Sequence, residues 1–306
     1  MYTKHMAIVL QLKNVSKRFG TTQALQDVSF AVKKSEIVGF VGANGAGKTT
    51  AISTMLGFIS PTSGEVEVFG DMVTPATAHR QHGNIGYAAG DMELPPRLTG
   101  EQFLKFVLHQ SQGNHTARLA ELVKKFKPEL DKKIGTLSRG NKQKIALIAA
   151  FVTEPELIIL DEPTSGLDPV MQEIFLTLVR ESQAAGVTIF MSSHYLGEVA
   201  DVCTRVILMR GGKAIRDLAA HEMLEKSGKA VRVVSAYKAL RPPLGAENVE
   251  VHHEAGKTVL SFVSHLAPSQ LQVWVAGIKQ LEDIEITEYN LEGVFTSLYE
   301  TEEESV

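Results

Sequence analysis

Short apolar runs, several of them standing just before a helical pattern, dominate the first 220 residues. Strands are predicted at "IVLQL" (8–12), "EIVGFVG" (36–42), "EVEVFG" (65–70), "NIGYA" (84–88), "ELIILD" (156–161), "GVTIFMSS" (186–193) and "RVILMRGG" (205–212). Within them "IIL" and "TIFM" are apolar throughout, as expected of strands buried on both faces of a parallel sheet. Between about 94 and 152 the texture changes. There "GEQFLKFVLHQ" (100–110), "ARLAELVKKF" (117–126) and "NKQKIALIAAFV" (141–152) space their apolar residues at the helical period. This predicts a helical insertion within an α/β domain spanning residues 1–220.

A smaller α/β unit is predicted from 225 to 306. "AVRVVSA" (230–236) reads as a strand, and "VEVHHEAGKTVLSFVS" (249–264) as two strands around an Ala255-Gly256 turn. "SQLQVWVAGIKQL" (269–281) is helical, "IEITEYN" (284–290) extended and "LEGVFTSLYE" (291–300) helical again, ahead of an acidic tail. "RPPLGAEN" (241–248) is a loop.

Composition narrows the class. A chain of 306 residues supports one large domain or two ordinary ones, and 44% hydrophobic with 22% charged residues is ordinary globular composition. A net charge of −4 argues against a duplex nucleic-acid binder, which carries a basic excess or stripe. The single cysteine, Cys203, has no internal disulfide partner, which fits a reducing cytosol and a small buried hydrophobe. The longest apolar runs, such as "IALIAAFV" (145–152), fall short of the ~20 residues that a membrane span needs. "MAIVLQL" (6–12) reads as a first strand rather than a signal peptide.

The strongest local chemistry is in "EIVGFVGANGAGKTTAISTML" (36–56), which carries G-x-x-x-x-G-K-[ST] as Gly42, Gly47, Lys48 and Thr49, with Gly45 inside it. A strand precedes the motif and a helix follows it, as the motif requires. Glycines let the backbone curl so that successive N–H groups point at phosphate oxygens. The start of the helix adds free N–H groups and the positive end of its dipole. Lys48 then reaches the β- and γ-phosphates, and the Thr49 hydroxyl can bind Mg²⁺.

The second chemical feature is "ELIILDEPTSGLDP" (156–169), an apolar strand ending in Asp161 and Glu162. A carboxylate at the carboxyl end of a buried parallel strand sits where such sheets bind ligands. Asp161 is placed to hold Mg²⁺, directly or through water. Glu162, one residue on, is placed to take a proton from a water attacking the γ-phosphate or to orient that water.

With "LSRGNKQK" (137–144), "SGLD" (165–168) and "MSSHYLGEVA" (191–200) in this order, the chain resembles the ATPase subunit of ATP-binding-cassette (ABC) transporters over residues 8–220. The resemblance implies a P-loop NTPase fold with ATP and Mg²⁺ as ligands. It implies that Phe19 stacks on adenine and that Gly42, Ala43, Asn44, Gly45, Ala46, Gly47, Lys48, Thr49 and Thr50 hold the triphosphate. Ser138 and Gly140 would touch the γ-phosphate bound to a second copy of the chain, and Asp168 would link the two sites. His194 would contact the γ-phosphate and help hold the catalytic geometry. The start of a helix near Ser138 favours an anion, in keeping with that role. "YNLEGVFTSLYE" (289–300) resembles the closing helix of a branch that exports drugs, antibiotics or lipids through a separate permease chain.

The implied partners are an integral membrane permease and a second copy of the chain, with no nucleic acid, at the inner face of the cell membrane. A GTPase is disfavoured because the only N-K-x, Asn141-Lys142-Gln143-Lys144, has no Asp. A soluble assembly ATPase of the same family is the remaining alternative. Two departures from the family pattern stand out. The usual LSGGQ is Leu137-Ser138-Arg139-Gly140-Asn141, with Arg139 in place of a glycine. A glutamine expected after the "IGY" strand is replaced by Ala88-Ala89-Gly90-Asp91. Asp91, or water near Gly90, is the expected substitute on the Mg²⁺ side.

Overall fold

The computed structural model describes residues 7–288, apart from 196, 198, 200, 201, 221, 223–227, 238, 239 and 255. The chain divides into two units, 1–217 and 218–306. The helix expected at 291–300 lies outside the described residues.

The first unit is built on two sheets. Strands β1 (Ile8–Phe19), β2 (Thr22–Lys33), β4 (Ser63–Val68) and β5 (Asp71–Met72) form an antiparallel sheet in the order β2-β1-β4-β5. The second sheet runs β10-β9-β3-β8-β7-β6, with β3 (Ile37–Val41), β6 (Ile85–Ala89), β7 (Leu157–Asp161), β8 (Thr188–Ser193), β9 (Arg205–Arg210) and β10 (Lys213–Ala219). Its β9-β3-β8-β7-β6 stretch is parallel. Every residue of β3, β7 and β8 is buried, which is why these strands read as continuous apolar runs. Phe30 of β2 stacks on Phe190 of β8, with centroids 5.8 Å apart, and Phe40 of β3 packs against both rings. These rings join the two sheets across one core, to which helix α1 (Lys48–Met55) adds Ala51, Ile52 and Met55.

The antiparallel sheet differs from the expected pattern. "IVLQL" pairs with "EVEVFG" on one side and on the other with β2, a strand that the apolar pattern does not predict. The reason lies in the register. The β1–β2 pairing shifts between Leu12 and Val15, and Asn14 and Asp27 on the facing strands take positive φ of 50° and 52°. The Asn14 side chain donates to the Asp27 carboxylate at 2.8 Å. Such an irregularity breaks the period of two at Gln26–Asp27 and leaves regular alternation only over Val28–Lys33.

Helices α2 (Gly100–Gln110), α3 (Thr116–Phe126) and α4 (Arg139–Phe151) fall in the stretch predicted to be helical, and α5 (Pro169–Ala184) lies between β7 and β8. A reciprocal capping box between Thr99 and Gln102 opens α2. Strand β6 lies hard against α4: a Cβ on Gly86 would stand 2.0 Å from the Ala150 carbonyl oxygen. Gly86→Ala is therefore expected to cost about 1–3 kcal/mol or more, because helix backbone has to move. An unchanged denaturation midpoint for that variant would show that the approach is not tight.

In the second unit, β11 (Lys229–Ser235), β12 (Glu247–Glu254), β13 (Lys257–Ser264) and β14 (Leu281–Glu288) form a sheet in the order β12-β13-β11-β14, its pairs antiparallel. Helix α6 (Pro268–Ala276) supplies Leu271 to a core with Val231, Val233, Leu260 and Phe262, and Trp274 meets Phe262 edge-on at 5.1 Å. Among the described residues, no helix is long and apolar enough to cross a membrane.

Candidate functional site

Parallel register brings the candidate residues to one edge of the central sheet. Val41 of β3 stands beside Ser193 of β8, and Asp161 of β7 stands beside both Ser192 of β8 and Ala89 of β6. The segments starting at Gly42, Glu162, His194 and Gly90 therefore leave the sheet at neighbouring carboxyl ends, the position at which open α/β sheets bind ligands.

The loop after β3 follows from its glycines. Gly45 and Gly47 have φ of 84° and 103°, a region that side chains disfavour, and Gly47 is the N-cap of α1. A Cβ on Gly42 would approach the Met209 carbonyl oxygen to 2.6 Å, and one on Gly47 the Ala24 carbonyl oxygen to 2.6 Å. Ala43, Asn44, Gly45 and Thr49 are exposed, Thr50 is half-buried and Ala46 is buried. Lys48 is only 5% exposed. Its Nζ donates to the carbonyl oxygens of Gly42 at 2.6 Å and Ala43 at 3.3 Å, so the cation is folded back beneath the loop it follows.

Glu162 joins this loop to the other strand ends. Its Oε1 is 3.5 Å from Lys48 Nζ, and its Oε2 is 3.3 Å from His194 Nδ1. Its backbone is strained, with φ of 49°. Ser192 holds it there: the Glu162 N–H donates to Ser192 Oγ at 3.0 Å and to the Ser192 carbonyl at 3.2 Å. The same Ser192 hydroxyl donates to Asp161 Oδ1 at 2.5 Å. One buried serine thus holds the Asp161 carboxylate and the Glu162 backbone, and sequence reasoning missed it; its signal was the "MSSH" run directly before His194. Gln143 was missed too. It is buried on α4, and its amide donates to the Pro163 carbonyl at 2.8 Å, tying that helix to the carboxylate turn. Burial, and then the nearby Asp161 charge, push the Tyr87 phenol up to about 12, so the ring stays neutral beside the acid.

Lys48, Asp161, Glu162 and His194 are therefore drawn together with the loop, while the other candidates have separate surroundings. Phe19 ends β1 with 49% of its surface exposed, which removes it from the core, and Lys17 Nζ lies 5.0 Å from its ring centroid. Ser138 is the N-cap of α4, its hydroxyl accepting from the Asn141 N–H at 3.3 Å. Asp168 caps α5 through the Met171 N–H at 2.9 Å. A Cβ on Gly140 would stand 2.7 Å from the Gly166 carbonyl oxygen, so only glycine permits this approach. The Asn141 amide is spent on Glu129, donating to its carboxylate at 2.8 Å.

Asp91 departs from expectation. Its carboxylate is 87% exposed and pairs with Arg139 at 2.6 Å, so it is engaged by the start of α4 rather than offered to the Asp161 side. Gly90 is the residue of that loop that touches the carboxylate turn. Its N–H donates to the Asp161 carbonyl at 2.8 Å, and a Cβ there would meet the Glu162 carbonyl oxygen at 2.7 Å.

Comparison with known proteins agrees with this geometry. The profile of the ABC transporter family matches residues 25–165. The chain is 32% identical over 299 residues to the Nod factor export ATP-binding protein I of Burkholderia orbicola, covering 94% of this chain and 96% of that one. It is 31% identical over 306 residues to the linearmycin resistance ATP-binding protein of Bacillus subtilis, covering 95% and 98%. A solved structure of an ATP-binding subunit of an ABC transporter superposes with a TM-score of 0.66 at 27% identity, over 71% of this chain and 92% of that one.

Proposed function

The chain belongs to the ABC transporter family, and we propose that it hydrolyses ATP to ADP and phosphate as the nucleotide-binding subunit of an exporter, driving a separate membrane permease. The observation that carries this reading is Glu162, a carboxylate held between Lys48 and His194 at the sheet edge where the phosphate loop begins.

Residues 42–50 wrap the triphosphate with backbone N–H groups, and Lys48 exchanges its carbonyl contacts for the β- and γ-phosphate oxygens. Glu162 takes the proton of the water that attacks the γ-phosphate. His194, whose Nδ1 lies 3.3 Å from Oε2, is placed to fix the carboxylate and to face the same phosphate. Phe19, half-exposed at the end of β1, offers a ring for adenine.

The residues present also fit Mg²⁺. Among the described residues no cluster of three or more His, Cys, Asp or Glu could hold a metal alone. Mg²⁺ needs no such cage, since it keeps several waters and takes one or two protein ligands together with the substrate phosphates. Asp161, with Oδ1 bonded to Ser192, and the exposed Thr49 hydroxyl supply that pair. When bound, the ion neutralises charge developing on the phosphoryl oxygens.

Ser138 and Gly140 start α4 where a helix N-terminus favours an anion. In a dimer they complete the nucleotide site of the partner, and Asp168 lies in the loop between the two sites. Closure with ATP and reopening after hydrolysis give the permease two states to follow. Export is favoured because the relatives matched over nearly their whole length are named for Nod factor export and for linearmycin resistance. The chain then works at the inner face of the membrane, held there by the permease.

Expressed together with the products of its neighbouring genes, the chain is expected to co-purify in detergent with an integral membrane protein, and the complex to show ATPase activity. Recovery of the chain without any membrane subunit would overturn the transport reading and favour a soluble assembly ATPase.

A further inference from the structure

We propose that Arg139 is a positioning residue for hydrolysis, a guanidinium oriented by Asp91 that steadies the turn carrying Glu162 through Ser165 and Gly166. The inference rests on the ATPase reading above and adds a part to it.

Three segments meet at this side chain. Arg139 Nη2 donates to Asp91 Oδ1 at 2.6 Å and to Ser165 Oγ at 2.7 Å. Its aliphatic stem lies over Gly166, where an added Cβ would stand 3.2 Å from Arg139 Cγ and 3.3 Å from Cδ. Gly166 has φ of 81° and receives Gly140 on its carbonyl, so the start of α4 meets the 165–168 loop through both Gly140 and the Arg139 stem.

Ser165 in turn reaches Glu162. The Ser165 N–H donates to the Glu162 carbonyl at 3.2 Å, closing a turn over residues 162–165. Glu162 holds a backbone conformation that costs energy for a non-glycine residue, so its geometry persists only while its surroundings impose it. Ser192 imposes it from the strand side, and the Arg139–Ser165 contact imposes it from the other end of the turn.

The two departures from the family pattern thus contact each other. An arginine stands where the motif usually has glycine, and the loop that usually supplies glutamine supplies the arginine's counter-ion instead. The charge pair is exposed, at 57% for Arg139 and 87% for Asp91, so its effect on folding is small. What it can set is which way a long, flexible side chain points, and therefore how often Ser165 is held.

The test is a kinetic double-mutant cycle on the full chain, with Arg139→Ala, Arg139→Lys, Asp91→Ala and the Asp91→Ala/Arg139→Ala pair. Arg139→Ala is expected to lower kcat about fivefold, the order that one exposed charge-assisted contact supports, while KM for ATP stays within about twofold. Asp91→Ala lowers kcat in the same direction by less. The pair falls no further than Arg139→Ala alone, because the aspartate acts only through the arginine. Arg139→Lys recovers part of the loss, since an ammonium still reaches one of the two acceptors. A kcat for Arg139→Ala equal to that of the wild type, or losses that multiply in the pair, overturns the proposal. Asp91→Ala alters only an exposed side chain and decides the matter if Arg139→Ala does not fold. A wild-type chain that hydrolyses ATP with an indifferent Arg139 refutes this inference alone. A wild-type chain without ATPase activity refutes the function on which it rests.

Discussion

Glu162→Gln is expected to lower kcat for ATP hydrolysis by about 10²–10³, within the range that a positioned general base contributes. The substitution is nearly isosteric, so it leaves the strained φ of 49° and the N–H contacts to Ser192 in place. What it removes is the negative charge that stands 3.5 Å from Lys48 and the ability to accept the water's proton. Without that charge Lys48 is freer to turn to phosphate, so ATP affinity should be unchanged or tighter. A bound triphosphate that is no longer cleaved should then hold two chains together. Steady-state phosphate release, equilibrium binding of labelled ATP and size-exclusion chromatography with ATP and Mg²⁺ give the three readouts. Turnover within about threefold of wild type would remove Glu162 as the base.

The parts of this fold that were legible in the sequence are those that a single local rule determines. β3, β7 and β8 are buried on both faces, so their apolar runs announce them without any knowledge of their neighbours. The candidate phosphate loop was legible because its glycines, lysine and threonine are contiguous. Glu162 and His194 were legible as polar residues just beyond buried strands, and parallel register then brings them together. What could not be read depends on pairing between distant segments. The antiparallel sheet hides β2 because the irregularity at Asn14 and Asp27 interrupts its alternation and leaves it regular only from Val28 on. Ser192 looks like any strand serine until β7 and β8 are laid side by side. Arg139 and Asp91 are 48 residues apart, and neither predicts the other until α4 and β6 are packed. Composition and periodicity carry no information about such a contact, so the pairing of Asp91 with Arg139 could not be read from the sequence.

Lys48→Ala is expected to weaken ATP binding by about 30- to 150-fold, equivalent to about 2–3 kcal/mol for a lost charged hydrogen-bond donor to phosphate. The argument starts from how costly this side chain is where it stands. Lys48 is 5% exposed, and a cation so buried is tolerated only with partners. It has the carbonyl oxygens of Gly42 and Ala43 and the more distant Glu162 carboxylate. These contacts are drawn from the loop itself and from the candidate base. They hold the ammonium beneath the loop, from which ATP binding draws it to the β- and γ-phosphate oxygens. Alanine removes the donor but keeps Gly45 and Gly47 in their left-handed conformations, so the backbone cradle survives and ADP should lose less affinity than ATP. The loss should also shrink at high ionic strength, because part of it is the attraction between the cation and the triphosphate. Titration calorimetry with ATP and ADP at two salt concentrations checks both points, and an ATP affinity equal to that of the wild type would refute the assignment of residues 42–50 as the phosphate loop.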